Sequence, residues 1–274
     1  MLIKQLILIS ILFLSYQFAV AQQDIDEKYT HYFKDTEKVV NSELKINIKN
    51  IASRYNYFKF AFKVKNTSKD YIIYDNSKSK MVFDWGEAHL KKSKEYFLKP
   101  NKSESEVFDV NNDTRFLKEE AKFVIEGLIK VPHKGKVKQI PNTHIEKKIE
   151  ADFDDVSVNF SKVDIKLKKS LVQVKVINKG TNYVLLYPAQ LQVKVADDVY
   201  LKNNVSVDKV ILLKPGKSKI ISFSFDLLEN QEYFDYKEKT ISFNDFLEIS
   251  KPIQLETVEF KFDLDREVTY KMNK

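Results

Sequence analysis

Apolar and polar residues alternate in short runs along most of the chain. From Leu44 the period is two, through Leu44/Ile46/Ile48, Phe58/Phe60/Phe62/Val64, Met81/Phe83/Trp85 and Phe123/Ile125, with further apolar runs at 71–74, 96–98 and 107–110. Alternation of this kind sends successive side chains to opposite faces and predicts half-buried strands. Turn-forming residues separate the runs: Asn66-Thr67-Ser68, Asp75-Asn76-Ser77, Lys99-Pro100-Asn101 and Asn111-Asn112-Asp113. The pattern resumes at Val156/Val158/Phe160 and continues through Val172/Val174/Val176, 183–187, Leu191/Val193/Val195, 210–213, 220–225, 240–243 and 258–264. Each half accommodates seven or eight short strands, which predicts an all-β, antiparallel protein. Residues 22–41 read as a polar N-terminal arm, in which Tyr29, Tyr32 and Phe33 lie close together and no element is assigned.

The two halves repeat one another. Lys63-Val64-Lys65-Asn66-Thr67-Ser68-Lys69-Asp70-Tyr71 returns as Lys175-Val176-Ile177-Asn178-Lys179-Gly180-Thr181-Asn182-Tyr183, an offset of 112 residues (178 − 66). Leu98-Lys99-Pro100-Asn101-Lys102-Ser103 returns as Leu213-Lys214-Pro215-Gly216-Lys217-Ser218, now offset by 115 (215 − 100). That period is too long for a solenoid repeat and suits a whole immunoglobulin-like domain. The expected fold is therefore two tandem immunoglobulin-like antiparallel β-sandwiches. Domain 1 is expected at 42–153 and domain 2 at 154–274, joined at Asp154-Asp155.

The order Val64-x-Asn66-Thr67-Ser68, a β-rich run, and then Leu98-Lys99-Pro100-Asn101-Lys102-Ser103 resembles bacterial Ig-like domains of the PapD and major-sperm-protein type, and secreted telokin-like domains. The run Ala121-Lys122-Phe123-Val124-Ile125-Glu126-Gly127-Leu128-Ile129-Lys130-Val131-Pro132 is similar to the sixth strand of such a domain. The likeness marks turns and strand entries, so it implies a fold and not an activity. A basic, exported, two-domain chain is also similar to periplasmic pilus chaperones, which complete a subunit by strand addition. In that family the domains differ, whereas these halves are alike.

The ends and the composition narrow the setting. Residues 1–21 read as a secretory signal peptide: Lys4, an apolar run over 6–14, and Ala19-Val20-Ala21 before Gln22. Its removal takes one lysine and lowers the net charge from +7 to +6 (45 − 39). No cysteine exists, so neither a disulfide framework nor a lipid anchor on a mature N-terminal cysteine is available. A soluble exported protein, periplasmic or extracellular, is expected, with no membrane span after cleavage. The bias toward Lys, Ile and Asn resembles exported proteins of AT-rich Gram-negative bacteria. Lysines alternate with apolar residues on strands, as on a solvated sheet face, so attraction to an anionic glycan is generic and no specific nucleic-acid site is expected. The five glycines leave little room for phosphate loops or nucleophile elbows. The four histidines are not spaced as a metal pair, and no thiol is present, so neither catalysis nor a cofactor is expected.

Three constellations merit structural inspection. The stretch between Val131 and Lys148 reads as a long basic loop at a sandwich end, with His133, Lys134, Lys136, Lys138 and His144 as the candidate contact surface for an envelope or secreted protein. Trp85 and Tyr96 form a candidate carbohydrate platform, the alternative being core packing. Asp109, Asn111, Asp113 and Glu120 carry calcium-loop spacing, but Thr114 stands where the sharp turn needs glycine. The function expected is that of a noncatalytic binding or scaffolding component of a bacterial envelope. A carbohydrate-binding accessory module and a chaperone-like protein are the alternatives.

Overall fold

The computed structural model describes residues 29–111, 116–144, 150–153, 155–164, 169–196, 199–226 and 240–274. Residues 1–21, read as a signal peptide, and the first residues of the stretch read as an arm lie outside them. The chain is all-β with antiparallel sheets and, among the described residues, one short α-helix, Arg266–Met272. It divides into two compact units, one running to Lys130 and resuming at Gln254–Lys274, the other spanning Val131–Ile253. The boundary expected at Asp154 is thereby corrected: the second unit is inserted into the first, and the last strand belongs to the first unit.

In the first unit a five-stranded sheet is built on Leu44–Arg54, which pairs on one side with Tyr57–Asn66 and on the other with His31–Phe33 and Thr36–Val40. Ser103–Asn111 closes the far edge against Tyr57–Asn66. The stretch read as an arm therefore supplies two strands, because Phe33 and Val40 have core to cover and are buried at 5% and 8% exposure. Opposite lie two four-stranded sheets. Tyr71–Asp75 passes through a 3-10 turn at Asn76–Lys78 into Lys80–Phe83, and Glu120–Ile125 passes through Gly127 into Leu128–Val131, so each chain track serves both sheets. Gly127 has φ +77°, and a Cβ there would stand 2.7 Å from the Asp75 carbonyl oxygen, so this bend requires glycine. Phenylalanines join the layers: ring centroids lie 5.0 Å apart for Phe60 and Phe123, and 5.7 Å for Phe58 and Phe262.

Phe262 comes from Val258–Asp263, which pairs in register with Glu120–Ile125. Its side chains alternate, with Val258, Phe260 and Phe262 buried and Glu259, Lys261 and Asp263 exposed. The helix that follows ties the segment down. Thr30 N–H donates to Asn273 Oδ1 (2.9 Å), Tyr32 N–H to Thr269 Oγ1 (3.0 Å), and Asp265 N–H to the Tyr32 carbonyl (2.8 Å).

The second unit has a core of its own, with Val158, Val174, Val176, Leu186, Phe223, Phe225 and Phe246 among its members. Glu150–Asp152 pairs antiparallel with Val156–Asp164, so the expected interdomain joint falls within this unit. Val156–Asp164 pairs with Lys169–Asn178, which pairs with Ser218–Asp226. Tyr183–Leu186 bends through Pro188–Gln190 into Gln192–Ala196, again crossing between two four-stranded sheets.

The duplicated asparagines make equivalent bonds in the two units. Asn66 is fully buried, and its Nδ2 donates to the carbonyls of Asp70 (2.7 Å) and Leu98 (3.1 Å) while Oδ1 accepts from Ser68 N–H (2.9 Å). Asn178, 1% exposed, donates to Asn182 (2.8 Å) and Leu213 (3.1 Å) and accepts from Gly180 N–H (3.1 Å). Each turn is thus anchored by one buried asparagine that satisfies backbone carbonyls the sheets leave over.

Candidate functional site

The basic stretch of the second unit is not a loop tip. Lys136–Val137 pairs with Ile249 and Glu248, and Thr143–His144 pairs with Ile241 and Thr240, each as the edge of its sheet. Lys138 N–H donates to the Leu247 carbonyl (3.0 Å), so pairing continues past Val137. Gly135 lets the strand close on its neighbour: its N–H donates to Glu248 Oε2 (2.9 Å), and a Cβ would meet the Ile249 carbonyl oxygen at 2.6 Å. The Tyr187 hydroxyl is within donating distance of the His133 carbonyl (3.1 Å) and of Glu248 Oε2 (3.3 Å). Lys134, Lys136 and His144 are exposed. His133 and Lys138 are half-buried, and Lys138 Nζ stands 5.5 Å over the Phe153 ring. Lys136 and Lys138 flank Val137 on this edge, and Lys134 stands in the bend that precedes it.

The carbohydrate platform is also corrected. Trp85 lies flat on Phe83, with centroids 5.0 Å apart and planes at 7°, and meets the edge of Phe116. Tyr96 is 3% exposed, stacked on Tyr74, and donates its hydroxyl to Glu106, so it offers no face to a sugar. Lys94 Nζ lies 3.2 Å from Glu106 and 4.6 Å over the Tyr96 ring. The Tyr96 hydrogen bond holds the Glu106 carboxyl below the usual range, with Lys94 adding to it, while burial and the same bond push the Tyr96 phenol up. This group braces the seam between sheets. Of the calcium candidates, Asp113 and the Asn111 side chain lie outside the described residues. Asp109 sits on the edge strand Ser103–Asn111, and Glu120 opens the strand Glu120–Ile125. Among the described residues no group of three or more His, Asp or Glu side chains is placed to hold a metal ion.

One cleft of the first unit was not legible in the sequence. It measures about 1000 Å³ and lies over the outer face of Val258–Asp263, Glu120–Ile125 and Lys80–Phe83, rimmed by Asp84, Lys118, Glu119 and Arg266 at the start of the helix. Two ion pairs bound it, Lys118 Nζ to Asp84 Oδ2 and Arg266 to Glu119 Oε2, both at 2.9 Å. Across its floor the register sets Lys122 opposite Lys261 and Glu120 opposite Asp263, all four exposed. Only the pairing partner reveals that arrangement, because in sequence Glu120 and Lys122 read as ordinary outward positions.

No family model matches the chain, and no curated protein matches it. Among solved structures, similarity is found to red sea bream transglutaminase at 11% identity and TM-score 0.22, over 68% of this chain and 27% of that one. A conserved domain protein from Bacillus anthracis is similar at 12% identity and TM-score 0.21, over 87% and 92% of the two chains. CBD12 from CALX1.2 is similar at 10% identity and TM-score 0.17, over 62% and 69%. The chain spans about a quarter of the transglutaminase, and these likenesses carry no assignment of family.

Proposed function

We propose that this protein is a noncatalytic binding or scaffolding component of a bacterial envelope, built from two immunoglobulin-like sandwiches that arose by duplication. It holds an acidic protein partner along the lysine-bearing edge of the second unit. The observation that carries this reading is the edge strand itself, bonded along its inner side through Lys136–Val137 and the Lys138 amide, with Lys134 and Lys136 exposed. A sheet edge adds a strand from a partner through main-chain bonds. Edge lysines repel another basic edge and attract an acidic one. The export signal supports the compartment, and the pattern around Asn66 and Asn178 supports the domain type.

The test is affinity recovery from envelope extract with tagged residues 22–274, at low and at high salt, beside the triple variant K134E/K136E/K138E. A discrete acidic protein recovered by the parent and lost by the variant is the expected result. Equal recovery by both would refute the assignment of this edge.

A further inference from the structure

The four charged residues on the cleft floor of the first unit are arranged against their own electrostatics. In an antiparallel pair, directly opposed like charges destabilise and directly opposed unlike charges stabilise. Here Lys122 opposes Lys261 and Glu120 opposes Asp263. Exchanging residues 120 and 122 would convert both pairs into favourable ones with the same composition. Unlike charges do pair at the rim, in Lys118–Asp84 and Arg266–Glu119. Among the described residues, none of the four floor residues carries an ion pair.

The result is a row of two ammonium groups beside a row of two carboxylates. The rows are two residues apart on both strands, about 7 Å at the strand rise of about 3.3 Å per residue. Val82, opposite Lys122 on the third strand, adds an apolar patch to the floor. A cleft of about 1000 Å³ has room for a small molecule.

The geometry points to a binding site for a zwitterionic small molecule whose anionic group and ammonium are about 7 Å apart. The anion lies between Lys122 and Lys261. The ammonium lies between Glu120 and Asp263, and the aliphatic span between them runs over the lysine stems, with Val82 flanking Lys122 on the side away from Lys261. The site is separate from the lysine edge of the second unit and does not depend on it. Its like-charged pairs are relieved only when the ligand is bound, so the apo protein carries their cost.

The probes are straight-chain ω-aminocarboxylates of three to eight carbons, titrated calorimetrically into residues 22–274, with hexanoate and hexylamine as single-charge controls. The expected optimum falls near 6-aminohexanoate, whose charges are about 7 Å apart when extended, with at least tenfold weaker binding at three carbons and for both controls. The charge-exchanged variant E120K/K122E is expected to lose at least tenfold in affinity while its melting temperature rises. K134E/K136E/K138E is expected to bind as the parent does. Three results would overturn the proposal: binding independent of chain length, hexanoate binding as well as its amino analogue, or an exchanged variant that binds normally or melts lower.

Discussion

Replacing Phe262 by alanine tests the inserted topology directly. The side chain is 2% exposed and touches three other rings, Phe58 at 5.7 Å, Phe60 at 5.8 Å and Phe33 at 6.4 Å between centroids. A buried phenylalanine removes about 180 Å² from water, which at about 25 cal/mol per Å² is about 4.5 kcal/mol. That falls within the range of about 3–5 kcal/mol for such truncations. With a urea slope of about 2 kcal/mol per M, the midpoint of the affected transition falls by about 2 M. The chain carries its own reporter, because its single tryptophan, Trp85, is half-buried and packs on Phe83 and Phe116 against the core of the first unit. F262A is therefore expected to move the tryptophan fluorescence transition. F246A, which truncates a ring buried in the other core, is expected to leave that transition in place and move only the far-UV circular dichroism. A tandem arrangement split at Asp154 predicts the reverse for F262A. If F262A left the tryptophan transition where it was, the assignment of Val258–Asp263 to the first unit would be wrong.

Further outcomes follow from single side chains. Asn66→Ala strips the Asp70 and Leu98 carbonyls of their donors in a buried setting and should cost about 2–4 kcal/mol, read by tryptophan fluorescence in urea. Asn178→Ala should cost a similar amount in the other unit without moving that signal. Gly135→Ala forces a Cβ against the Ile249 carbonyl and should destabilise the edge by about 1–3 kcal/mol, seen as faster hydrogen exchange at the Lys138 amide. Glu106 is held below its usual pKa first by the Tyr96 hydroxyl. A depressed carboxylate contributes stability above its unfolded value, about pH 4.3, and loses it as pH falls through the folded value. The stability gap between the parent and Y96F should therefore shrink on acidification through that window, and a gap that stayed constant from pH 7 to pH 3 would contradict the role given to this bond.

Much of the architecture is written locally. The alternation at Phe58/Phe60/Phe62/Val64 corresponds to a strand in which these four residues are all buried. The repeated Asn66 and Asn178 mark positions with the same bonds in each unit. The arm was unreadable because Tyr29, Tyr32 and Phe33 lack a clear period, and Phe33 is ordered by Phe58 and Phe262, distant in sequence. Tyr96 and Trp85 read equally well as platform or core, since an aromatic residue shows its burial only through the residues that cover it.

Local sequence determined the all-β class, the turns and the inward face of most strands, because alternation and turn chemistry act within a few residues. Tertiary structure alone decided which strand lies beside which. Val258–Asp263 reads as the last strand of the second half, yet it completes the first unit. The lysines after Pro132 read as a loop, yet they line an edge. Strand pairing joins residues of any separation through backbone groups common to every residue, so a strand's own pattern names its buried face but not its neighbour. For the same reason Lys122 meets Lys261 and Glu120 meets Asp263 only in the fold.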